Sequence, residues 1–412
     1  MSTDRPELRV LGLVVLVAGS ALAAPVASVS GVSVTGDRLV GVAALVAAVA
    51  LLLGRRVRWT PVHSALLVFV AVQGLTTLAS APTWPQGLKF VVVYGLGFGC
   101  AVVTAELARG AGGLDAAARV WRVTGAVVGV LGAAVALAAT FLQRPLWGAG
   151  WALAMERPGG GPLVLFAAKL TFPEWNLLSS FLLVPLALAL WRLTAWTPMA
   201  VAGVAAIAAG LVLGMTRAVW LAAAVMGVAW AWRHRPGRRL VIGLGLIVGL
   251  LLVAQTLTAG GGSVVVQRLV RPVVTGFDWN FLTRGLVNRA AYRSWLGAPV
   301  LGQGAGSTNR LQARLPSGRV VRRLWTGNIA LFLLHDSGVV GLAALLALVG
   351  VTAQQAALAA ARNGTSWREA GPPLVASGIA LLWAWQFTHA LWLMYPYVHL
   401  GLLIACTRAD EG

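Results

Sequence analysis

The chain has 412 residues, of which 58% are hydrophobic and only 11% charged, and its net charge is +20. A soluble domain carries about 25% charged residues, and one soluble core could not hide this much apolar surface. The composition therefore excludes a cytosolic enzyme, a disordered chain and a disulfide-rich secreted domain. It indicates a polytopic membrane protein.

Apolar runs follow one another along the whole chain, and each is a candidate span because a transmembrane helix needs roughly 20 apolar residues. The runs cover residues 8–29, 38–54, 61–81, 86–107, 119–142, 176–196, 198–216, 217–232, 239–258, 338–360, 372–393 and 395–407. We therefore expect an all-α integral membrane protein with about 12 transmembrane helices. A large extracytoplasmic loop would separate spans 9 and 10.

This pattern divides the chain into three regions. Residues 1–258 would form a nine-span N-terminal membrane region, 259–337 an extracytoplasmic basic loop with short helices, and 338–412 a three-span C-terminal membrane region. Outside the basic loop, most arginines lie in the loops that would be on the same side of the membrane as the N-terminus. Because cytoplasmic loops are enriched in arginine and lysine, we expect both termini in the cytoplasm.

The loop from 259 to 325 carries ten arginines against one acid, Asp278. Such a surface could bind anionic lipid headgroups. It could instead hold the phosphate groups of a substrate, which we favour because arginine stays charged and binds phosphate oxygens in a bidentate fork.

A helix is predicted within this loop, starting at the cap Thr283 and ending near Gly297. Helical spacing would put one set of polar and aromatic side chains on a single face, a plausible surface for a sugar or diphosphate: Arg284, Asn288, Tyr292 and Trp295. Arg289 and Arg293 would point largely the other way. The next segment, Gly302 to Ser307, does not follow a strand, so we interpret it as a tight turn after Pro299 and not as a nucleotide-binding loop.

Three further segments are candidates for chemistry. Thr216-Arg217-Ala218 opens span 8, where a charged side chain is costly unless it is paired or faces a polar cavity. Lys169 and Glu174 lie in the second outer loop, where Glu174 could also simply stabilise a helix N-terminus. Residues 327–341 are predicted to form a short surface helix that runs into span 10 and carries His335 and Asp336.

Taken in order, these pieces resemble the O-antigen ligase and O-antigen polymerase family of bacterial envelope glycosyltransferases. The family has Ser/Thr-Arg-Gly/Ala at the start of a middle span, which Thr216-Arg217-Ala218 matches. It has an arginine upstream of a Pro-x-x-Gly-x-Gly turn, which Arg284 and the segment from Pro299 to Gly304 match. Residues 172–176 loosely resemble a further family segment.

The family then has His-Asn-x-x-Leu, an acid and Gly-x-x-Gly at the next span. The matching residues here are Asn328, Leu331, Asp336, Gly338 and Gly341, but Gly327 stands where the family's ligases have the histidine implied to be catalytic. Mainly for this reason we favour a polymerase of lipid-linked repeat units over a ligase that transfers the glycan to lipid A-core or another acceptor.

The resemblance implies a metal-independent, inverting, GT-C-like glycosyltransferase of the bacterial inner membrane, acting on the extracytoplasmic face without a cofactor. Its donor would be a glycan on undecaprenyl diphosphate and its acceptor a sugar hydroxyl. Our candidate catalytic residues are Arg217, Arg284, Asp336, His335 and Glu174; our candidate substrate-binding residues are Arg289, Arg293, Asn288, Tyr292, Asn328 and Lys169. The partners expected are donor, acceptor and lipid bilayer, with a chain-length regulator as a further candidate and no nucleic acid.

Two interpretations that assign the protein to another functional class stay open. A transporter or flippase of polyprenyl-linked glycan would also need basic residues in a cavity, although such proteins more often show inverted repeats and broken spans. A scaffold that recruits envelope enzymes would tolerate substitution of Arg217 and Arg284.

Overall fold

A computed structural model of the chain describes residues 6–29, 32–80, 84–109, 112–145, 151–154, 166–193, 197–234, 279–314, 320–322, 326–362 and 364–408. The described residues are mostly helical. Predicted span 9 and the first part of the basic loop, up to residue 278, lie outside them.

The helices, numbered along the described chain, are α1 (Pro6–Ser20), α2 (Gly36–Leu53), α3 (Pro61–Ala79), α4 (Trp84–Ala108), α5 (Gly113–Leu142), α6 (Trp175–Trp191), α7 (Pro198–Leu213), α8 (Arg217–His234), α9 (Trp279–Trp295), α10 (Ile329–Arg362), α11 (Thr365–Ala384) and α12 (Tyr395–Arg408). Three antiparallel strand pairs accompany them: β1 (Pro25–Val29) with β2 (Val32–Thr35), β3 (Ala152–Ala154) with β4 (Phe166–Ala168), and β5 (Gln312–Arg314) with β6 (Val320–Arg322).

Five of the described helices, α2, α3, α4, α5 and α10, are long and apolar enough to cross a membrane. Helices α6, α7 and α12 and most of α8 are apolar but shorter. The predicted class, a helical protein with membrane-spanning segments, is confirmed at this level. The number of twelve spans stays a prediction.

The first and the eleventh predicted spans differ most from the helices observed. The first apolar run extends to residue 29, but α1 ends at Ser20 and residues from Pro25 onward form β1, whose partner β2 supplies the hydrogen bonds. The run at 372–393 starts within α11, which begins earlier, at Thr365, and ends at Ala384. The residues after Ala384 leave the helix, and one of their carbonyl groups, that of Trp385, accepts the Ile329 N–H at 3.0 Å.

The described chain groups into two compact units. Unit 1 contains the described residues within 1–117, 279–375 and 385–412, and unit 2 contains those within 118–278 and 376–384. In unit 1, α4 packs against α2, α3 and α12, while α10 packs against α3 and α9. In unit 2, α6 packs against α7 and α8. The predicted three-part division concerns membrane topology and stays a prediction.

Small residues set the closest helix approaches within each unit, as is usual where helices pack in a membrane. In unit 1, a Cβ atom added to Gly99 of α4 would lie 2.6 Å from the Cα atom of Leu45 in α2. In unit 2, a Cβ atom added to Gly210 of α7 would lie 2.6 Å from the Cα atom of Gly129 in α5. The backbones therefore touch at these points.

Candidate functional site

The first turns of α10 form a short helical segment that ends at a kink. Gly338 has φ 66° and ψ −164°, a conformation that is not helical and is essentially restricted to glycine. The segment before it carries His335 and Asp336, which are 2% and 0% exposed. The helix predicted to run into span 10 is therefore present from Ile329, with a break at Gly338. The prediction that it lies on the surface is wrong, because its His335 and Asp336 are buried.

The turn predicted after Pro299 is present, and its backbone forms hydrogen bonds with the helix on both sides of the kink. Beyond the kink, the N–H groups of Val339 and Val340 donate to the carbonyl oxygens of Pro299 (2.9 Å) and Val300 (3.3 Å) instead of to their own helix. The carbonyl oxygens that they would otherwise reach, on His335 and Asp336, accept from the loop. Because buried backbone groups must be paired, the loop and the kink complete each other.

The two loop donors are the N–H groups of Gln303 and Gly304, each 2.8 Å from its carbonyl oxygen, on His335 and Asp336 respectively. Gly302, Gly304 and Gly306 all have positive φ, at 69°, 91° and 75°. A Cβ atom on Gly302 would also lie 2.5 Å from the nitrogen of Gly338. The Pro-x-x-Gly-x-Gly pattern is thus the set of residue types that lets the loop lie against the kink.

The buried carboxylate of Asp336 holds the end of the loop. Its Oδ2 accepts the Gly306 N–H at 2.7 Å. Its Oδ1 accepts the Ser307 hydroxyl at 2.9 Å, the Thr308 N–H at 3.1 Å and the Thr308 hydroxyl at 2.6 Å. An ionised carboxylate is an acceptor only, so every one of these groups donates to it.

The imidazole of His335 connects this carboxylate to helix α9. Its Nδ1 lies 2.9 Å from Oδ1 of Asp336, and its Nε2 lies 3.1 Å from the Ser294 hydroxyl. Nδ1 also lies 3.2 Å from the Ser307 hydroxyl oxygen. Because the carboxylate accepts, we assign the ring proton to Nδ1, which leaves Nε2 as an acceptor. The result is a continuous chain from carboxylate through imidazole to hydroxyl.

An open cleft of about 440 Å³ adjoins this chain. Its polar lining consists of Ser80, Ser294, Gln303, Ser307, Arg310 and His335. Pockets that bind small molecules have volumes of about 300–1,000 Å³ and present a few well-placed polar groups. The volume of the cleft lies within this range, and several polar side chains line it.

Helix α9 forms one side of this region. It begins at Trp279, four residues before the predicted cap Thr283. Residues 279–283 contain no glycine or proline, so they are compatible with a helix. Val287 and Ala291 of α9 are buried in a cluster with Leu311. This packing fixes which side of the helix faces the rest of unit 1.

The candidate residues on α9 differ in their surroundings. Arg289 and Arg293 are exposed, Asn288 is half-buried and Tyr292 is 47% exposed, with its ring 5.4 Å from that of Trp295. The half-buried Arg284 donates from Nη1 to the carbonyl oxygen of Phe387 at 3.0 Å. Its guanidinium carbon also lies 5.9 Å from the centroid of the Phe387 ring, within the range of a cation–π contact.

The backbone at Phe387 also explains the glycine at 327. A Cβ atom on Gly327 would lie 2.0 Å from the Phe387 carbonyl oxygen, so no side chain fits there. The next residue, Asn328, donates to the Gln386 side-chain oxygen at 3.2 Å and accepts the Leu331 N–H at 2.9 Å. The position at which the resembling ligases have histidine is therefore closed to side chains in this protein.

His389 lies in the segment between α11 and α12 that covers Gly327, outside the candidate spans. It is fully buried, and its ring centroid lies 4.0 Å from that of Phe332. Burial lowers the pKa of His389 to about 3, since a charged imidazole would lose its hydration. Such a histidine stays neutral and is a weak base.

Unit 2 holds the remaining candidates. The Thr216 hydroxyl donates to Oδ1 of Asn176 at 2.8 Å, which joins the start of α8 to the start of α6. Arg217 is the first residue of α8, and Glu174 directly precedes α6, where its carbonyl accepts the Leu177 N–H at 3.2 Å. Contact between the Thr-Arg-Ala motif and the segment ending at Asn176 is a relation that the sequence alone did not reveal.

The turn before Arg217 is tightly packed. Met215 has φ 53°, and a Cβ atom on Gly214 would lie 2.0 Å from the Ser179 hydroxyl oxygen. Lys169, also in unit 2, is half-buried after β4, and its N–H donates to the Trp151 carbonyl at 2.9 Å. The backbone at Arg217 is thus set by neighbouring residues of its own unit.

The structure therefore brings His335 and Asp336 together with side chains that the sequence did not single out: Ser294, Gln303, Ser307, Thr308 and Arg310. It joins Arg284 and Asn328 to the Gln386–Phe387 backbone. Neither a model of a known protein family nor any curated protein matches the chain.

Proposed function

We propose that this protein is a membrane glycosyltransferase of the bacterial cytoplasmic membrane that acts on the extracytoplasmic face. It would transfer a glycan from a polyprenyl-diphosphate donor to a sugar hydroxyl, most readily as a polymerase of lipid-linked repeat units. The observation that carries this proposal is the Asp336–His335 pair, whose histidine lines a cleft at the end of the arginine-bearing helix α9.

His335 is the general base of the proposed reaction. It lines the cleft and its Nε2 is an acceptor, whereas Asp336 is fully buried and already accepts the loop donors. Asp336 is the positioning residue: its carboxylate keeps the proton on Nδ1 and stabilises the imidazolium that forms. With Gly327 lacking a side chain and His389 held neutral in the core, His335 is the histidine best placed for this role.

Arginines supply the complementary charge. Transfer breaks the bond between the anomeric carbon and the diphosphate oxygen, so negative charge develops on the leaving group, and fixed cations stabilise it best in a site of low dielectric. Arg284, Arg289 and Arg293 project from α9 within unit 1. The family resemblance also implies roles for Arg217, Lys169 and Glu174. These three residues lie in unit 2.

The test is a reconstituted assay with a short glycan on polyprenyl diphosphate, with and without a separate acceptor. A product ladder from donor alone supports a polymerase, and a single product that needs the added acceptor supports a ligase. His335→Gln should lower kcat by about 10²–10⁴-fold, the usual contribution of a general base, and Arg284→Ala should also abolish transfer.

The matched control is Gln354→Ala, an exposed position later in α10, which should leave transfer unchanged. Thermal unfolding of each purified variant separates lost chemistry from lost structure. If wild-type protein consumes no donor under any condition, the enzyme proposal is wrong and a transporter becomes the better interpretation. A folded His335→Gln variant with full activity would instead contradict the assignment of the base.

A further inference from the structure

We infer that the cleft takes a sugar ring of the acceptor, and that the Ser294 hydroxyl passes the proton of the attacking hydroxyl to His335. This inference rests on the proposed glycosyl transfer and adds a positioning and proton-relay residue to it. It starts from the 3.1 Å contact between Ser294 Oγ and His335 Nε2.

The exposure of Ser294 and His335 indicates which of the two a ligand contacts first. His335 is 2% exposed, whereas Ser294 is half-buried, and both line the cleft. A ligand in the cleft therefore reaches the serine hydroxyl more readily than the imidazole. Because Nε2 is an acceptor, the Ser294 O–H points toward it, which leaves the lone pairs of Oγ to accept a proton from a bound hydroxyl.

The same three residue types also form the catalytic triad of hydrolases, but the surroundings of Ser294 favour a relay over a nucleophile. Ser294 lies in the last turn of α9, where the helix dipole is negative. The Gly297 N–H and the Gln303 side-chain amide both donate to the Ser294 carbonyl oxygen, each at 3.2 Å. These neighbouring amide donors are therefore directed at a carbonyl of the protein, not at a developing oxyanion.

The lining of the cleft suits a sugar ring. Gln303, Ser307 and Arg310 present hydrogen-bonding groups, and Leu301, Ala79 and Ala298 present small apolar surfaces. A pyranose ring has both kinds of surface. The walls come from four parts of unit 1: the end of α3, the end of α9, the first turns of α10, and the loop of residues 299–308 (the glycine loop) with the turn after it. The cleft therefore exists only when all four are in place.

One bond forms and one breaks at the anomeric carbon of the donor. The acceptor oxygen forms a bond to the anomeric carbon of the donor while the bond from that carbon to the diphosphate oxygen breaks, and the electron pair leaves with the diphosphate. The acceptor proton moves to Ser294 Oγ as the proton of Ser294 moves to Nε2 of His335. The imidazolium is then stabilised by Asp336, and it returns its proton to solvent.

The test compares Ser294→Ala, Ser294→Thr and the control Thr352→Val. Thr352 lies later in α10 and donates its hydroxyl to the Leu348 carbonyl at 2.7 Å, so the control also removes a half-buried hydroxyl. Ser294→Ala should lower kcat at least about tenfold, a part of what acid–base catalysis usually supplies, with little change in the KM for the acceptor. Ser294→Thr, which keeps the hydroxyl, should retain most of the rate.

A second readout does not depend on transfer. Diethyl pyrocarbonate modifies the free lone pair of a neutral imidazole, and mass spectrometry of the peptide containing His335 gives its rate. Ser294→Ala should raise that rate several-fold, since Nε2 no longer accepts the serine proton, whereas Thr352→Val should leave it unchanged.

The two readouts separate the possible failures. If Ser294→Ala changes neither kcat nor the modification rate in a wild-type background that makes product, the relay is overturned and the glycosyltransferase proposal stands. If Ser294 controls the modification rate but wild-type protein consumes no donor, the proposed function fails and takes the transfer step with it. A fall in kcat that Ser294→Thr does not rescue would also overturn the relay.

Discussion

The Asp336 side chain shows how much order one buried carboxylate can impose. Four donors from three consecutive loop residues converge on it, besides the imidazole of the residue before it. Hydrogen bonds to a charged group contribute about 1.5–3 kcal/mol each, and a buried donor that loses its partner costs about 1–3 kcal/mol. The loop conformation therefore depends on the negative charge as well as on the shape of this residue.

Replacing Asp336 with Asn tests that dependence. The amide keeps the shape but presents N–H donors where at least one loop donor now points, so we expect a loss of roughly 3 kcal/mol in unfolding free energy. Thermal and denaturant unfolding in detergent would measure it. Glu7→Gln, at an exposed acid in the first turn of α1, is the control, and equal shifts for the two variants would contradict this account.

At this scale the sequence identified some residues of the candidate site and not others. His335 and Asp336 could be singled out because acids and histidines are rare in an apolar chain. Ser294 and Ser307 could not, because serine is common and their partner His335 lies 41 and 28 positions away. Gly327 stood out only because it departs from the family pattern. The structural reason for a glycine there is the nearby Phe387 carbonyl, which lies 60 positions later in the sequence and could not be foreseen.

At the scale of elements, the break in α10 is a place where two parts of the chain exchange backbone hydrogen bonds. Two donors and two acceptors that a continuous helix would pair internally are paired with the Pro299–Gly304 loop instead. Helix kinks have identifiable causes of this kind. The positive φ of Gly338 makes the exchange possible.

Two glycine-to-alanine substitutions in α10 should therefore have opposite effects. Gly338→Ala places a Cβ atom 2.1 Å from the Val300 carbonyl oxygen in a conformation that alanine avoids, and should cost at least about 3 kcal/mol. Gly350→Ala meets nothing within 4 Å and should stabilise the helix by about 0.5–1 kcal/mol. Unfolding midpoints in detergent would compare them, and a Gly338→Ala variant as stable as wild type would show that the kink is dispensable.

Element boundaries show where hydropathy fails as a guide. Apolar runs predicted α2 to α4 within two residues at each end, because each run is continuous and ends in polar or turn-forming residues. The run for α5 has the correct end, but the helix begins six residues earlier, at Gly113. The run that includes α1 conceals a change to a strand at Pro25, since valine and alanine are apolar in both conformations. The start of α9 was predicted too late because a threonine can cap a helix but need not do so.

For the whole molecule, the arrangement of arginines predicts orientation independently of any contact. We expect Arg56, between α2 and α3, on the cytoplasmic side and Arg144, after α5, on the outer side. Both are exposed. Cys100 and Cys406 are buried, and a background with alanine at both positions removes any labelling at them. Each replacement deletes a single sulfur atom, so its cost should be small compared with larger truncations in a core.

Single cysteines at those two arginines would test the orientation in intact cells. An impermeant maleimide should label Arg144→Cys directly, and Arg56→Cys only after the membrane is opened. Labelling of Arg56→Cys in intact cells would show that the topology is the reverse of the predicted one. The cleft of unit 1 would then lie on the other side of the membrane from its proposed substrate.

The exchange of hydrogen bonds at Gly338 has a consequence for biosynthesis. The ribosome makes the glycine loop before it makes Asp336, so the emerging loop has donors and no carboxylate to receive them. It can take its final shape only after the first turns of α10 have been synthesised. A nascent chain arrested before residue 329 would carry every residue of the loop and still have no cleft, and the protein thus completes its candidate site late, when the helix that follows the loop is inserted.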